Sequence, residues 1–119
     1  MLEIGIDIVA IHRLESLQKR FGNKGLLKFL CEEEIKLIKS PQTLAGFWAA
    51  KEACAKALKC GISPELSFYD MKISKTKKNA PILKLSQEKM AFFGVSSISL
   101  SIAHDKGFAI AVVAISLKT

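Results

Sequence analysis

The opening residues alternate. Leu2, Ile4, Ile6 and Ile8 fall on one side, and Glu3, Gly5, Asp7 and Val9 on the other. This period of two predicts a strand over residues 2–9 with one strongly apolar face, so that Asp7 points away from the isoleucines on the exposed side. Residues 10–20 then shift to helical spacing, burying Ile11, Leu14 and Leu17, and Gly22-Asn23 interrupts the helix. Residues 26–39 hold one or two short helical pieces, with Glu32, Glu33 and Glu34 suited to a first turn, where the helix dipole favours anions. Ser40-Pro41 marks a boundary, and Pro41 is well placed at a helix start. The longest helix runs from there to Cys60, rich in alanine, with Gly61 as its cap. Gly46 inside it costs about 1 kcal/mol relative to alanine, which close packing against another element would offset.

The second half changes character. Residues 67–74 alternate as a strand, 75–79 form a basic turn, and 80–85 form a second strand. A short helix begins at Ser86 and ends near Gly94. Residues 96–103 and 108–117 are two further strands, joined by a tight turn at His104-Asp105-Lys106-Gly107. Strands and helices are segregated, which argues an α+β fold with an antiparallel sheet.

The length of 119 residues fits one domain spanning 1–119, and an apolar share of 50% argues against disorder. The net charge of +7 implies an acidic partner: nucleic acid, an anionic membrane, an acidic protein or a phosphorylated small molecule. The cysteines, Cys31, Cys54 and Cys60, match no zinc or redox spacing and read as reduced thiols. The N-terminus lacks the pattern of a signal peptide, and no apolar run reaches the length of a membrane span. A soluble cytoplasmic protein is expected, with neither membrane nor nucleic-acid binding.

Two carboxylates stand out by position. Asp7 lies on a mostly apolar strand, and Glu52 sits among Ala49, Ala50, Ala53, Ala55 and Ala57. Small neighbours leave room for a ligand or another backbone, and Mg²⁺ is often held by one or two carboxylates with phosphates and water. Each also has a plain structural reading: Asp7 as a cap or ion-pair partner, Glu52 as a solvated i,i+4 partner of Lys56. On one helix face with Glu52, Lys56 can neutralise a phosphate oxygen or protonate a leaving group. His104 can bond a phosphate or cap its turn. Arg13 and Arg20 share a helix face beside Leu17, which suits an acidic helical protein or simply solvent. Lys72, Lys75, Lys77, Lys78 and Lys84 form a second basic group, able to bind phosphates or to solubilise a turn.

These stretches, in this order, resemble the holo-acyl-carrier-protein synthase family over nearly the whole chain. The motifs are Gly5-Ile6-Asp7-Ile8-Val9 with Arg13; Phe47-Trp48-Ala49-Ala50-Lys51-Glu52-Ala53 with Lys56 and Gly61; Ser67-Phe68-Tyr69-Asp70-Met71 followed by Pro81; and Ser101-Ile102-Ala103-His104-Asp105. The resemblance implies a 4′-phosphopantetheinyl transferase-like fold, with an antiparallel sheet packed against one long helix and shorter helices. It implies transfer of phosphopantetheine from coenzyme A to a serine of acyl carrier protein, with catalytic roles for Asp7, Glu52 and Lys56. Asp7 and Glu52 would hold Mg²⁺. Lys56, His104, Trp48, Gly61 and Pro81 would contact coenzyme A. Arg13, Arg20 and Lys24 would meet the acidic carrier protein, and a homotrimer would place its sites between subunits.

The chain departs from that pattern at Phe47, where the family usually has arginine, at Asn79-Ala80 before Pro81, and at Ala103. Lys77 or Lys78 is a candidate substitute for the missing cation. Two rival readings remain at this stage. A nucleic-acid-binding module would explain the charge, but aromatics are not interleaved with the basic residues as single-strand binders require. A noncatalytic assembly subunit on the same fold would explain Phe47.

Overall fold

The computed structural model describes all 119 residues. Strand β1 (Leu2–Ala10) leads into helix α1 (Ile11–Leu26), the short α2 (Glu32–Ile35) and the long α3 (Pro41–Ala57). A 3₁₀ turn (Phe68–Asp70) precedes β2 (Met71–Lys75) and β3 (Pro81–Leu85). Then come α4 (Gln87–Phe93), β4 (Val95–Asp105) and β5 (Phe108–Leu117). The antiparallel α+β architecture is as expected. The strands divide into a three-stranded sheet in the order β1-β5-β4 and a separate β2-β3 hairpin.

Helix α3 is the centre of the fold. Ser40 caps it by accepting from the Thr43 N–H, with Pro41 in its first turn. Ala49, Ala53 and Ala57 are buried, as are Ala109, Ala111, Val113 and Ile115 on the inner face of β5. Such small side chains let helix and sheet approach closely, and Gly5 makes the closest contact. A Cβ there would overlap the Ala53 carbonyl oxygen and lie 2.6 Å from the Ala57 nitrogen. Both obstacles are backbone, so neither can swing away. Gly5→Ala is therefore expected to destabilise the protein by about 3 kcal/mol, the upper end for overpacking, with a matching fall in melting temperature.

The orientation of β1 reverses the expectation from its pattern. Leu2, Ile4, Ile6 and Ile8 are 58–63% exposed, while Gly5 and Val9 are buried against α3. Asp7 thus lies on the helix-facing side, its carboxylate only 13% exposed. The isoleucine face continues across the sheet through Ile110, Val112 and Ala114, which stand opposite Ile8, Ile6 and Ile4.

Other boundaries shift for local reasons. The first helix is interrupted at Gly22 (φ 59°, ψ -150°), as its pattern predicts, and a second helical piece continues beyond that kink to Leu26. Leu14 is buried as expected, and Ile11 and Leu17 are half-buried against the core. Helix α3 stops at Ala57, and the left-handed residue just past it is Lys59 (φ 64°); Gly61 comes later, its N–H donating to Ala55 O. The segment 68–70 coils because Asp70 reaches back to the Ser67 N–H, which delays β2 to Met71. Strand β4 extends through His104, and the hairpin turn is only Lys106-Gly107, both at positive φ, the geometry of a type I′ turn. No helix is long and apolar enough to cross a membrane.

Candidate active site

Close packing of β1 on α3 brings Asp7 and Lys56 together although 49 residues separate them. Lys56 Nζ donates to Asp7 Oδ1 at 2.8 Å and to the Ile6 carbonyl at 3.2 Å. Lys56 is half exposed and Asp7 nearly covered, so the pair lies at the edge of the interface with the lysine open to solvent. Glu52, one turn earlier on α3, is half-buried. Burial raises its pKa first and the neighbouring Asp7 charge raises it further, while Lys56 and Arg13 pull it down. Two carboxylates and two cations thus interact at one place.

The paired carboxylates fit a hard cation. Both are oxygen donors, each repels the other's charge, and a bound cation would relieve that repulsion. No group of three or more His, Cys, Asp or Glu side chains converges anywhere, so an ion here would draw its remaining ligands from substrate and water.

Arg13 also lies 5.7 Å from the centre of the Trp48 ring, which packs edge-on against Phe29 and beside Phe68. Trp48 therefore positions Arg13 near Glu52 and does not line the neighbouring cavity. Arg20 and Lys24 lie exposed farther along α1. The exposed apolar group beside them is Phe21, flanked by Arg20 and Lys28, rather than Leu17.

A cavity of about 210 Å³ opens where the start of α3 meets β4 and the β2-β3 hairpin, lined by Thr43, Gly46, Phe47, Lys75, Asn79, Pro81, Ile102 and His104. His104 and Pro81 meet there; Gly61, at the far end of α3, does not line it. His104 Nε2 lies 2.9 Å from Gln42 O, and a carbonyl only accepts, so Nε2 carries the proton. Gly46 keeps α3 close to this strand: a Cβ would come within 3.0 Å of Ile102 and 3.4 Å of His104.

Phe47 is buried in the core, and Lys75 Nζ lies 5.9 Å from its ring centre. Lys75, rather than Lys77 or Lys78, is the hairpin lysine that lines the cavity, and it forms no ion pair. Among the thiols, Cys54 is fully buried and its pKa is pushed up to about 12, so it is no nucleophile.

A carboxylate pair beside a lysine, with a cation-lined cavity nearby, suits transfer at a phosphate, and comparison with known proteins agrees. The chain belongs to the 4′-phosphopantetheinyl transferase superfamily, whose family model matches residues 3–113. It is 58% identical to the holo-[acyl-carrier-protein] synthase of Helicobacter pylori over 114 residues, covering 95% of this chain and 96% of that protein. It is 54% identical to the Wolinella succinogenes enzyme of that name over 111 residues, covering 93% and 94%. The crystal structure of the H. pylori synthase in complex with coenzyme A superposes with a TM-score of 0.92 at 57% identity, covering 95% of this chain and 99% of that one.

Proposed function

We propose that the chain transfers the 4′-phosphopantetheine group of coenzyme A to a serine of acyl carrier protein, converting the apo carrier to its holo form for fatty acid biosynthesis. The observation that carries this reading is the meeting of Asp7, Glu52 and Lys56 from β1 and α3, within a chain of this superfamily. In the reaction, the serine oxygen forms a bond to the phosphopantetheine phosphorus. The pyrophosphate P–O bond breaks, the serine proton passes to solvent water, and adenosine 3′,5′-bisphosphate departs. Asp7 and Glu52 would hold Mg²⁺, which when bound neutralises charge on the coenzyme A diphosphate. Lys56, free to turn from Asp7 into solvent, neutralises phosphate charge and supplies a proton to the departing bisphosphate. Arg13, held against Trp48, adds positive charge beside Glu52.

The cavity at His104 and Pro81 suits the nucleotide end of coenzyme A. Lys75 provides there a cation without an anionic partner, in a chain whose Phe47 can offer none. Lys75→Ala is expected to raise KM for coenzyme A about tenfold with kcat little changed, since a charge-assisted hydrogen bond contributes about 1.5–3 kcal/mol. An unchanged KM in initial-rate measurements would remove Lys75 from the donor site.

Arg13, Arg20 and Lys24 on α1 suit the acidic surface of a carrier protein, in line with the net charge of +7. The exposed isoleucine face of the sheet suits burial against another copy of the chain, in line with the homotrimer and its sites between neighbours that the family resemblance implies. Three free thiols suit a reducing compartment, here the cytoplasm. The decisive test is mass spectrometry of apo acyl carrier protein incubated with the protein, coenzyme A and Mg²⁺, with an EDTA control. A gain of one phosphopantetheine, lost with EDTA, is expected. No gain with several carriers would overturn the reading in favour of a noncatalytic subunit.

A further inference from the structure

Lys51 precedes Glu52 directly, yet its side chain leaves the site for the interior, where it pairs with Glu34. The two side chains are 0% and 1% exposed, and the reaction above uses neither. Lys51 Nζ donates to Glu34 Oε1 at 2.9 Å, to Phe29 O at 2.7 Å and to Phe68 O at 3.2 Å, which uses every proton of the ammonium. Glu34 in turn accepts from the Ile73 N–H at 2.8 Å and the Cys31 N–H at 2.9 Å. One network therefore ties α3 to the segment after α1, to α2, to the 3₁₀ turn and to β2.

A buried ion pair is weak evidence for stability, because desolvation offsets the attraction; its best-attested use is to set register. Helix α3 has need of such a device. Its sheet-facing side is mostly alanine, packed on Gly5, Ala109, Ala111, Val113 and Ile115, so the helix itself offers few branched knobs to resist rolling about its axis. With side chains reaching about 5–6 Å from a helix axis, a roll of about 20° would carry Glu52 and Lys56 on the order of 2 Å from Asp7. A displacement of about 1 Å can lower a rate about 10²-fold.

We propose that the Lys51–Glu34 pair is a positioning device, holding the rotation and axial register of α3 so that Glu52 and Lys56 face Asp7; this rests on the assignment of those three residues as the reactive group. Single substitutions are unsuitable tests, since each strands a buried charge. The informative variant is Glu34→Met with Lys51→Met in the full-length protein. Its melting temperature is expected to fall, because the backbone groups of Phe29, Phe68, Cys31 and Ile73 lose their partners, while the protein stays folded and its KM for carrier protein stays the same. Its kcat should fall about 10²-fold, and Mg²⁺ binding in the presence of coenzyme A, followed by titration calorimetry, should weaken tenfold or more. Parent-like kcat and Mg²⁺ affinity in a folded double variant would overturn the proposal.

If the methionine pair does not fold, Lys51→Met with Glu34→Gln, which keeps an acceptor for Cys31 and Ile73, takes its place. Failure of both to fold would show that the pair serves the fold at large and would equally overturn a role in positioning. A Glu52→Gln control separates the two levels of argument. Activity retained there would sink the site assignment itself, whatever the pair does.

Discussion

Glu52→Gln is expected to lower transfer to acyl carrier protein by about 10³-fold or more, while leaving the metal-free protein no less heat-stable than the parent. The two halves of this result share one cause. Burial, and then the charge on Asp7, raise the Glu52 pKa above its unfolded value. The folded state therefore binds more protons than the unfolded state in a window just above the ordinary carboxylate pKa. The stabilisation from protonated Glu52 is present below the unfolded pKa and is lost as pH rises through the folded pKa. At neutral pH the ionised carboxylate is a net cost to the fold, and glutamine removes it. The same carboxylate is a proposed ligand for the charge that balances the donor diphosphate, so its loss falls on the reaction. Thermal unfolding with and without Mg²⁺ and coenzyme A checks both halves. Added Mg²⁺ and coenzyme A should raise the parent's melting temperature by more than the variant's, which keeps the nucleotide cavity but loses a metal ligand. A variant that melts well below the parent without ligands would show Glu52 to be a structural residue, and retained transfer would remove it from the site.

This conflict between stability and chemistry was partly legible in the sequence. Asp7 and Glu52 stand out because charged residues interrupt an apolar strand and an alanine-rich helix, and the surrounding motifs carry a family resemblance. Their neighbourhood was harder to read. Alternation in β1 reports a period but not which face meets the core. Four large aliphatic residues suggest an inward face, yet the glycine side is the one that can touch a helix backbone. The pairing of Lys51 with Glu34 joins residues 17 apart across the Ser40-Pro41 boundary, and no local pattern marks that the two side chains meet in the interior. A lysine beside Glu52 reads as a site residue until its depth is known. Lys75 was hidden for a related reason: all five hairpin lysines look alike in sequence, and only strand register selects the one that faces Phe47 and the cavity. The helices were more legible because their ends carry chemistry. Ser40-Pro41 and Ser86 cap the starts of α3 and α4, and Gly94 takes a left-handed φ of 67° at the end of α4.

Ile6→Glu is expected to convert the proposed trimer to folded monomers and to lower transfer by about 10²-fold. Ile6 is 58% exposed in the single chain and stands opposite Val112 on the outer face of the sheet. Changing it leaves the α3-facing core untouched, so circular dichroism should match the parent. In a trimer closed over this face, the change acts once per subunit. Each copy loses about 1–2 kcal/mol of aliphatic burial, Ile6 being already partly covered, and brings an unpaired carboxylate into an apolar contact. Sedimentation or light scattering reads the mass, and initial rates read the transfer. The activity should fall with the proposed assembly because Ile6 and Asp7 are consecutive on one strand: the face proposed to close the trimer and the face that carries the carboxylate belong to the same nine residues of β1. Ile6→Thr, which keeps the β-branch and removes apolar surface, should fall between the two, with activity recovering as protein concentration is raised. A variant that remains trimeric would show that the isoleucine face is not the contact. A fully active monomer would show that one subunit holds the whole site, with the assembly serving only to cover the sheet.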